Sequence, residues 1–561
     1  DEKQTVFIPE IRTHLSDVIT EIDHSKKDGT ITLDDEVTYK NLLPGREYTM
    51  RGTLYNKATG KALLADGKEV TGETTFTAKD TEGSVIVTFT FPASAVTTDP
   101  VVAFESLEYK GIEVAVHADI EDADQTDYIP EISTTATDAE TEDHIAMADE
   151  EVTIVDTVDY KGLKPNTKYV LKGVLMDKET GKELLDAAGK TITSEQSFVT
   201  GKAKDGEVSV SGSVELTFTF DGSTLAGKTA VVFERLYQSE KEVAVHTDID
   251  DEEQSVHFPD AKTNAADKAT GNHTAHLDED VTIEDLVKYT KLIPDKEYTV
   301  KGKLIVKETG KAILDKDGKE ITAEKTFKAE KADGEILLEF EHVDTTQLIG
   351  KHIVAFESVE YEGLTIIVHE DLEDEDQTVA VPEIRTKAAD QESGSKILQP
   401  GERIVVLDTV YYRGLTAGEC YELRTEVIDY KTRRTVFLGE PFRFAPKTSE
   451  GEVTVEIALN TGELKGARLV VYERLLTENG VLLAAHEDPE DMDQTVSVPK
   501  VEGFHVPEKG PEREETPGKD TRPVITGDGF RPAVVWSAAG ISAAGIALIL
   551  FLLLRKRRPR S

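Results

Sequence analysis

The sequence predicts an all-β chain of four tandem two-sheet repeats followed by a terminal anchoring segment. Three observations predict it. A residue pattern recurs four times, apolar residues alternate with period two inside each recurrence, and the chemistry changes abruptly near the C-terminus. At 561 residues the chain is too long for one compact domain and suits three to five.

The recurrence sets the domain count. The segments HADIEDADQT, HTDIDDEEQS, HEDLEDEDQT and HEDPEDMDQT begin at His117, His246, His369 and His486. Each holds an Asp three residues before a Gln, namely Gln125, Gln254, Gln377 and Gln494. Short Pro-containing stretches lead into Thr13, Thr134, Thr263 and Thr386, and Gln125, Gln254 and Gln377 each precede the next of these Thr residues by nine positions. A junction of constant length predicts units that abut in a semi-rigid rod. The implied divisions are 9–126, 127–255, 256–378 and 379–498. DEKQTVFIPEI at Asp1 matches DEDQTVAVPEI at Asp374, so residues 1–8 read as the end of a preceding repeat in a longer protein, with Gln4 an ordinary amide.

Within a unit, Val-Ile-Val-Thr-Phe-Thr-Phe (85–91) and Val-Glu-Leu-Thr-Phe-Thr-Phe (214–220) alternate as strands do. Turn signals are dense, as in LLPGREY, LKPNTKY and LIPDKEY. Several short strands per unit, and no long helical period before the tail, indicate immunoglobulin-like β-sandwiches.

The tail follows different rules. Residues 499–532 hold six prolines and five glycines and read as a wall-spanning linker. Residues 533–554 carry no charge over 22 positions, about 33 Å as a helix, which is enough to span a bilayer. Trp536 stands near the entry, and the basic tail 555–561 places the C-terminus in the cytoplasm. The order polar spacer, Thr526-Gly527, apolar span, basic tail resembles Gram-positive wall-sorting signals, with Val524-Ile525 standing where Leu-Pro is usual. A formal charge of −45 argues against nucleic-acid binding. The lone Cys420 permits no internal disulfide and reads as a free thiol.

Carboxylates occupy apolar strand faces. Glu105 lies between Ala103 and Leu107 on one face, and Glu234, Glu357 and Glu473 repeat the placement. Asp35 lies between Leu33 and Val37, matched by Asp156, Asp285 and Asp408. A buried carboxylate needs a partner or a proton, so two inward acids per unit suggest a pair sharing one proton. With Thr, His and Gln at fixed offsets, each unit holds a nucleophile, a base, an orienting acid and an electrophile.

This set resembles the T-Q ester-bond (VaFE-repeat) domains of Gram-positive surface proteins. The resemblance implies intramolecular esters joining Thr13 to Gln125, Thr134 to Gln254, Thr263 to Gln377 and Thr386 to Gln494, each releasing ammonia. It assigns His117, His246, His369 and His486 to take the Thr proton, and Asp122, Asp251, Asp374 and Asp491 to orient those imidazoles. The pairs Asp35/Glu105, Asp156/Glu234, Asp285/Glu357 and Asp408/Glu473 would polarise the amide. Ser255 follows Gln254 where the other units have Thr, and Tyr472 stands for Phe before Glu473. The implied protein is a wall-anchored, extracellular adhesin stalk, joined to peptidoglycan by sortase and held in the membrane before sorting. A missing N-terminal region would bind a host or cell-surface ligand. Its chemistry is single-turnover, so it is not an enzyme in the usual sense, and it needs no cofactor. The rival reading is a calcium-binding adhesin array, because IEDAD, IDDEE and LEDED supply oxygen ligands.

Overall fold

The alternation read from the sequence becomes burial. In Glu10–Asp17 the inward positions are Ile11, Thr13, Leu15 and Asp17, and in Thr30–Lys40 they are Ile31, Leu33, Asp35, Val37 and Tyr39. The computed structural model describes residues 6–500, which are built from strands and two short 3-10 turns, with no α-helix among the described residues. The expected linker from 501 on, the sorting residues Thr526 and Gly527, the apolar span 533–554 and Gln4 lie outside the described residues.

Each unit has the same two antiparallel sheets. In the first, a three-stranded sheet orders Glu10–Asp17, Thr30–Lys40 and Gly83–Pro92. The larger sheet centres on Glu47–Asn56 and Val101–Tyr109, flanked by Ile112–His117. After the Gln, a short closing strand, Thr126–Asp127, pairs back onto Val101–Tyr109. The closing strands Ser255–His257, Thr378–Ala380 and Thr495–Ser497 repeat this. Each unit encloses its own apolar core between the sheets.

Facing sheets dictate one glycine. Gly52 sits opposite Glu105 in the register, and a Cβ there would stand 2.4 Å from the Phe89 ring. Gly173 against Phe218 and Gly302 against Phe340 repeat the close approach, at 2.6 and 2.5 Å. No real side chain tolerates such contacts, so the ring and the bare backbone are chosen together.

Neighbouring units touch through specific groups. His24 Nε2 lies 2.7 Å from the Tyr169 hydroxyl while its ring stacks on Tyr128, and Lys26 pairs with Glu242 at 2.7 Å. Asp143 accepts hydrogen bonds from Lys296 at 2.7 Å and from Tyr361 at 2.6 Å. Ile145 of the second unit is packed into the core cluster of the third. Between the last two units, Leu277 N–H donates to the Leu482 carbonyl at 2.8 Å.

Candidate cross-linking site

Two backbone features bring the ends of each unit together. The first strand donates from Leu15 N–H to the Asp124 carbonyl at 2.8 Å, and Ala136 to Glu253, Ala265 to Asp376 and Ala388 to Asp493 repeat this at 2.8–2.9 Å. The donor lies two residues after the Thr and the acceptor immediately before the Gln. Since side chains two apart share a strand face, Thr and Gln are both directed inward. Thr13, Thr134, Thr263 and Thr386 are 3–7% exposed, and all four Gln side chains are fully buried.

The carboxyl pair lies at the same place. Asp35 and Glu105 come from opposite sheets and face each other, and the Thr13 hydroxyl contributes to the electrostatics of both. Burial, then the Asp35 charge, pushes Glu105 up to about 11. Burial also raises Asp35. The third unit repeats this, with Asp285 raised to about 6 by burial and Glu357 to about 10 by burial and its neighbour's charge. In the second unit burial raises Asp156 to about 6 and Glu234 well above the carboxylate range. Both oxygens of every one of these Asp residues lack a hydrogen-bond donor among the protein's own polar groups. Facing carboxyls in this setting are placed to share a proton.

The amide nitrogen is held in place. Gln125 Nε2 donates to the Ala103 carbonyl at 2.7 Å and to Glu105 Oε2 at 3.0 Å. Gln254 does the same toward Val232 and Glu234, at 2.6 and 2.7 Å. Gln377 donates to Glu357 at 2.6 Å. The backbone carbonyl can only accept, so it orients the amide with nitrogen toward the acid. In these three units the amide oxygen has no partner.

The imidazoles are placed differently from the simplest expectation. His117 Nε2 meets Asp122 Oδ2 at 2.9 Å, and the other three His–Asp pairs lie at 3.1–3.3 Å. The pairing that the family resemblance implied is therefore formed in every unit. The other ring nitrogen turns to the first-strand backbone where a partner is seen: Ile11 O lies 3.2 Å from His117 Nδ1, and Thr386 N–H donates to His486 Nδ1 at 3.1 Å. In no unit does the imidazole hydrogen-bond to the Thr hydroxyl.

Sequence reasoning missed two supports. The hydroxyl after each Gln closes the acidic turn: Thr126, Ser255, Thr378 and Thr495 donate to the carbonyls of Asp122, Asp251, Asp374 and Asp491 at 2.5–2.8 Å. Ser255 does this as well as Thr, which accounts for the substitution. The acidic loops are also internally committed, since Asp122 Oδ1 accepts Asp124 N–H at 2.9 Å and Lys178 pairs with Glu252 at 2.6 Å. Lys307 pairs with Glu373 at 3.3 Å. The signal for the lysines was in the sequence: Lys57, Lys178 and Lys307 hold equivalent places in the repeat.

The profile described as the T-Q ester bond containing domain matches residues 9–128, 130–258, 259–381 and 382–498. The chain belongs to that family. Its four T-Q units span nearly all of the described residues. No curated protein matches the chain at a significant level. Among solved structures, the chain is similar to a Mobiluncus mulieris adhesin containing intramolecular disulfide, isopeptide and ester cross-links. That match has 14% identity, covers 38% of this chain and 80% of that one, and has a TM-score of 0.20. The tetra-tandem repeat in the extending region of a large adhesion protein matches at 10% identity, covering 88% of this chain and 100% of that one, with a TM-score of 0.19. The BSP domain of a biofilm associated protein matches at 10% identity, covering 89% and 96%, also with a TM-score of 0.19. Such low TM-scores carry no argument, and the assignment of the T-Q units rests on the family match.

Proposed function

We propose that each T-Q unit closes its own Thr–Gln ester once, and that the closed units form the stalk of a bacterial surface adhesin. The observation that carries this is a buried Thr hydroxyl, Gln amide and facing Asp/Glu pair in every unit. Groups this buried act on each other rather than on a diffusing substrate, so the chemistry is single-turnover.

The two acids divide the work by environment. In the first three units the Asp is the more acidic partner, and the Glu, held protonated, touches the amide nitrogen. The ionised Asp takes the Thr proton as Oγ1 bonds to Gln Cδ. The Glu gives its proton to Nε2 as the Cδ–Nε2 bond breaks, and ammonia leaves. The pair ends with one proton, as it began. In this reading the His–Asp couple clamps the closing loop onto the first strand.

The ester would carry tension past the folded unit. Between Thr13 and Gln125 lie 112 residue steps, roughly 380 Å of extended chain. Anchoring through sortase at Thr526-Gly527, with residues 533–554 as a membrane hold, completes a wall-attached extracellular protein in this reading. The carboxylates of the acidic loops, which suggested calcium, are engaged by backbone N–H groups and lysines.

Intact mass tests the ester reading. Each bond loses ammonia, about 17 Da, so four bonds put the chain about 68 Da below its sequence mass. Hydroxylamine should cleave the linked peptides. A mass equal to the sequence value, or links that survive hydroxylamine, overturns the reading.

A further inference from the structure

The fourth unit holds the same residues in a different hydrogen-bond arrangement. Thr425 stands opposite Glu473, where the other units have Gly52, Gly173 and Gly302 opposite their Glu. Ile457 stands where those units have Phe89, Phe218 and Phe340. The two changes are sterically coupled, because a Cβ at the glycine positions would overlap the Phe ring. With the shorter Ile, a side chain fits.

That side chain is a buried hydroxyl aimed at the acid. Thr425 is 2% exposed and donates to Glu473 Oε1 at 2.6 Å. Gln494 does not bond to Glu473. Its nitrogen donates to the carbonyls of Val471 at 2.7 Å and His486 at 2.6 Å, and its oxygen accepts Asp488 N–H at 3.1 Å. The other groups facing Glu473 and its partner are Asp408, from the strand Ile404–Arg413, and Lys396, whose charge acts on Asp408. His486, beside them in the register, is bonded to Asp491.

We propose that Thr425 is a positioning residue that diverts Glu473 from the Gln494 nitrogen and makes the fourth unit the slowest of the four to close. This rests on the ester reading above. The bonds made and broken are the same: Thr386 Oγ1 joins Gln494 Cδ, Nε2 departs as ammonia, and the Thr proton accounts for the third hydrogen. The delivery differs. In units one to three the acid already touches the departing nitrogen. In unit four the acid must first release Thr425 and the amide must turn. The compensating feature is the Asp488 N–H on the amide oxygen, where negative charge develops.

The test uses the full chain, recovered in denaturant before any unit has folded and refolded between pH 5 and 9. Samples are quenched over time, and closure is scored for each unit by peptide mapping. Thr425→Val keeps the shape and removes the hydroxyl, and Thr425→Ser restores it. Wild type should close unit four last. Thr425→Val should speed that unit by about tenfold, less than the ~10²–10⁴ that a fully placed acid or base contributes. Thr425→Ser should keep the wild-type rate and profile. Unit-four kinetics unchanged or slower in Thr425→Val, with the other units closing normally, overturns the proposal. Failure of all four units to lose ammonia overturns the ester reading itself.

Discussion

Units one to three and unit four carry the same Thr, His, Asp, Gln and acid pair, yet only the first three hold the Glu against the amide nitrogen. The difference comes from a residue outside that set. A glycine on the adjacent strand leaves the Glu free to reach Gln, whereas Thr425 captures it. The contrast shows that the hydrogen bonding among six named residues is governed by the packing behind them. Keeping the same residue types does not keep their hydrogen bonds.

The largest expected effect removes the bond from one side of the comparison. Thr386→Ala should leave unit four folded with its ammonia retained, and units one to three still linked. Closing a loop near 110 residues is worth roughly 4–5 kcal/mol by analogy with disulfides. Denaturant unfolding should therefore show a separate, weaker transition for unit four. If the variant unfolds together with the wild-type chain, the ester contributes nothing there.

A titration sharpens the comparison next. Asp156 and Asp285 are raised by burial to about 6, and Asp408 to about 7. A carboxyl with a folded value above its unfolded one binds its proton more tightly in the folded state. Unlinked units should therefore be most stable below about pH 4 as far as these groups decide. They should lose about 1.4 kcal/mol per pH unit per site as pH rises toward the folded value, and level off above it. The loss should extend about one pH unit further in unit four than in units two and three. Closure kinetics should rise through the same ranges, because the Asp must be ionised to take the Thr proton. Equal pH midpoints in all units would remove this distinction.

Transplanting the exchange is a smaller perturbation. Gly302→Thr alone should cost unit three about 1–3 kcal/mol, since its Cβ would stand 2.5 Å from the Phe340 ring. Adding Phe340→Ile should recover much of that loss and slow closure of unit three. Thermal unfolding of both variants, with peptide mapping, checks the coupling. Smallest of all, Thr378→Val deletes the hydroxyl that closes the acidic turn on the Asp374 carbonyl. It should cost about 1 kcal/mol, while Thr378→Ser, copying Ser255, should cost little.

Much of the site was legible because two periodicities are rigid. Strand alternation fixes which side chains point inward, so Asp35 and Glu105 could be placed on one interior from the two-residue period alone. The His–Asp pairing that every unit makes was implied instead by the family resemblance. The Lys residues facing the acidic loops, and the hydroxyl after each Gln, were visible as repeats but had no stated purpose until the turn was seen.

By itself, then, the sequence determined the number of units, the strand character and the inward acids, since these follow from repetition and from the two-residue period of a strand. Only the tertiary structure decided the partners. It turned His117 and His486 to the first-strand backbone rather than to the hydroxyl, set the glycine against the Phe ring, and turned Glu473 toward Thr425. Those choices depend on how closely two sheets approach and which side chain fills the space between them. Residues far apart in the chain set that distance jointly, and no local period records it.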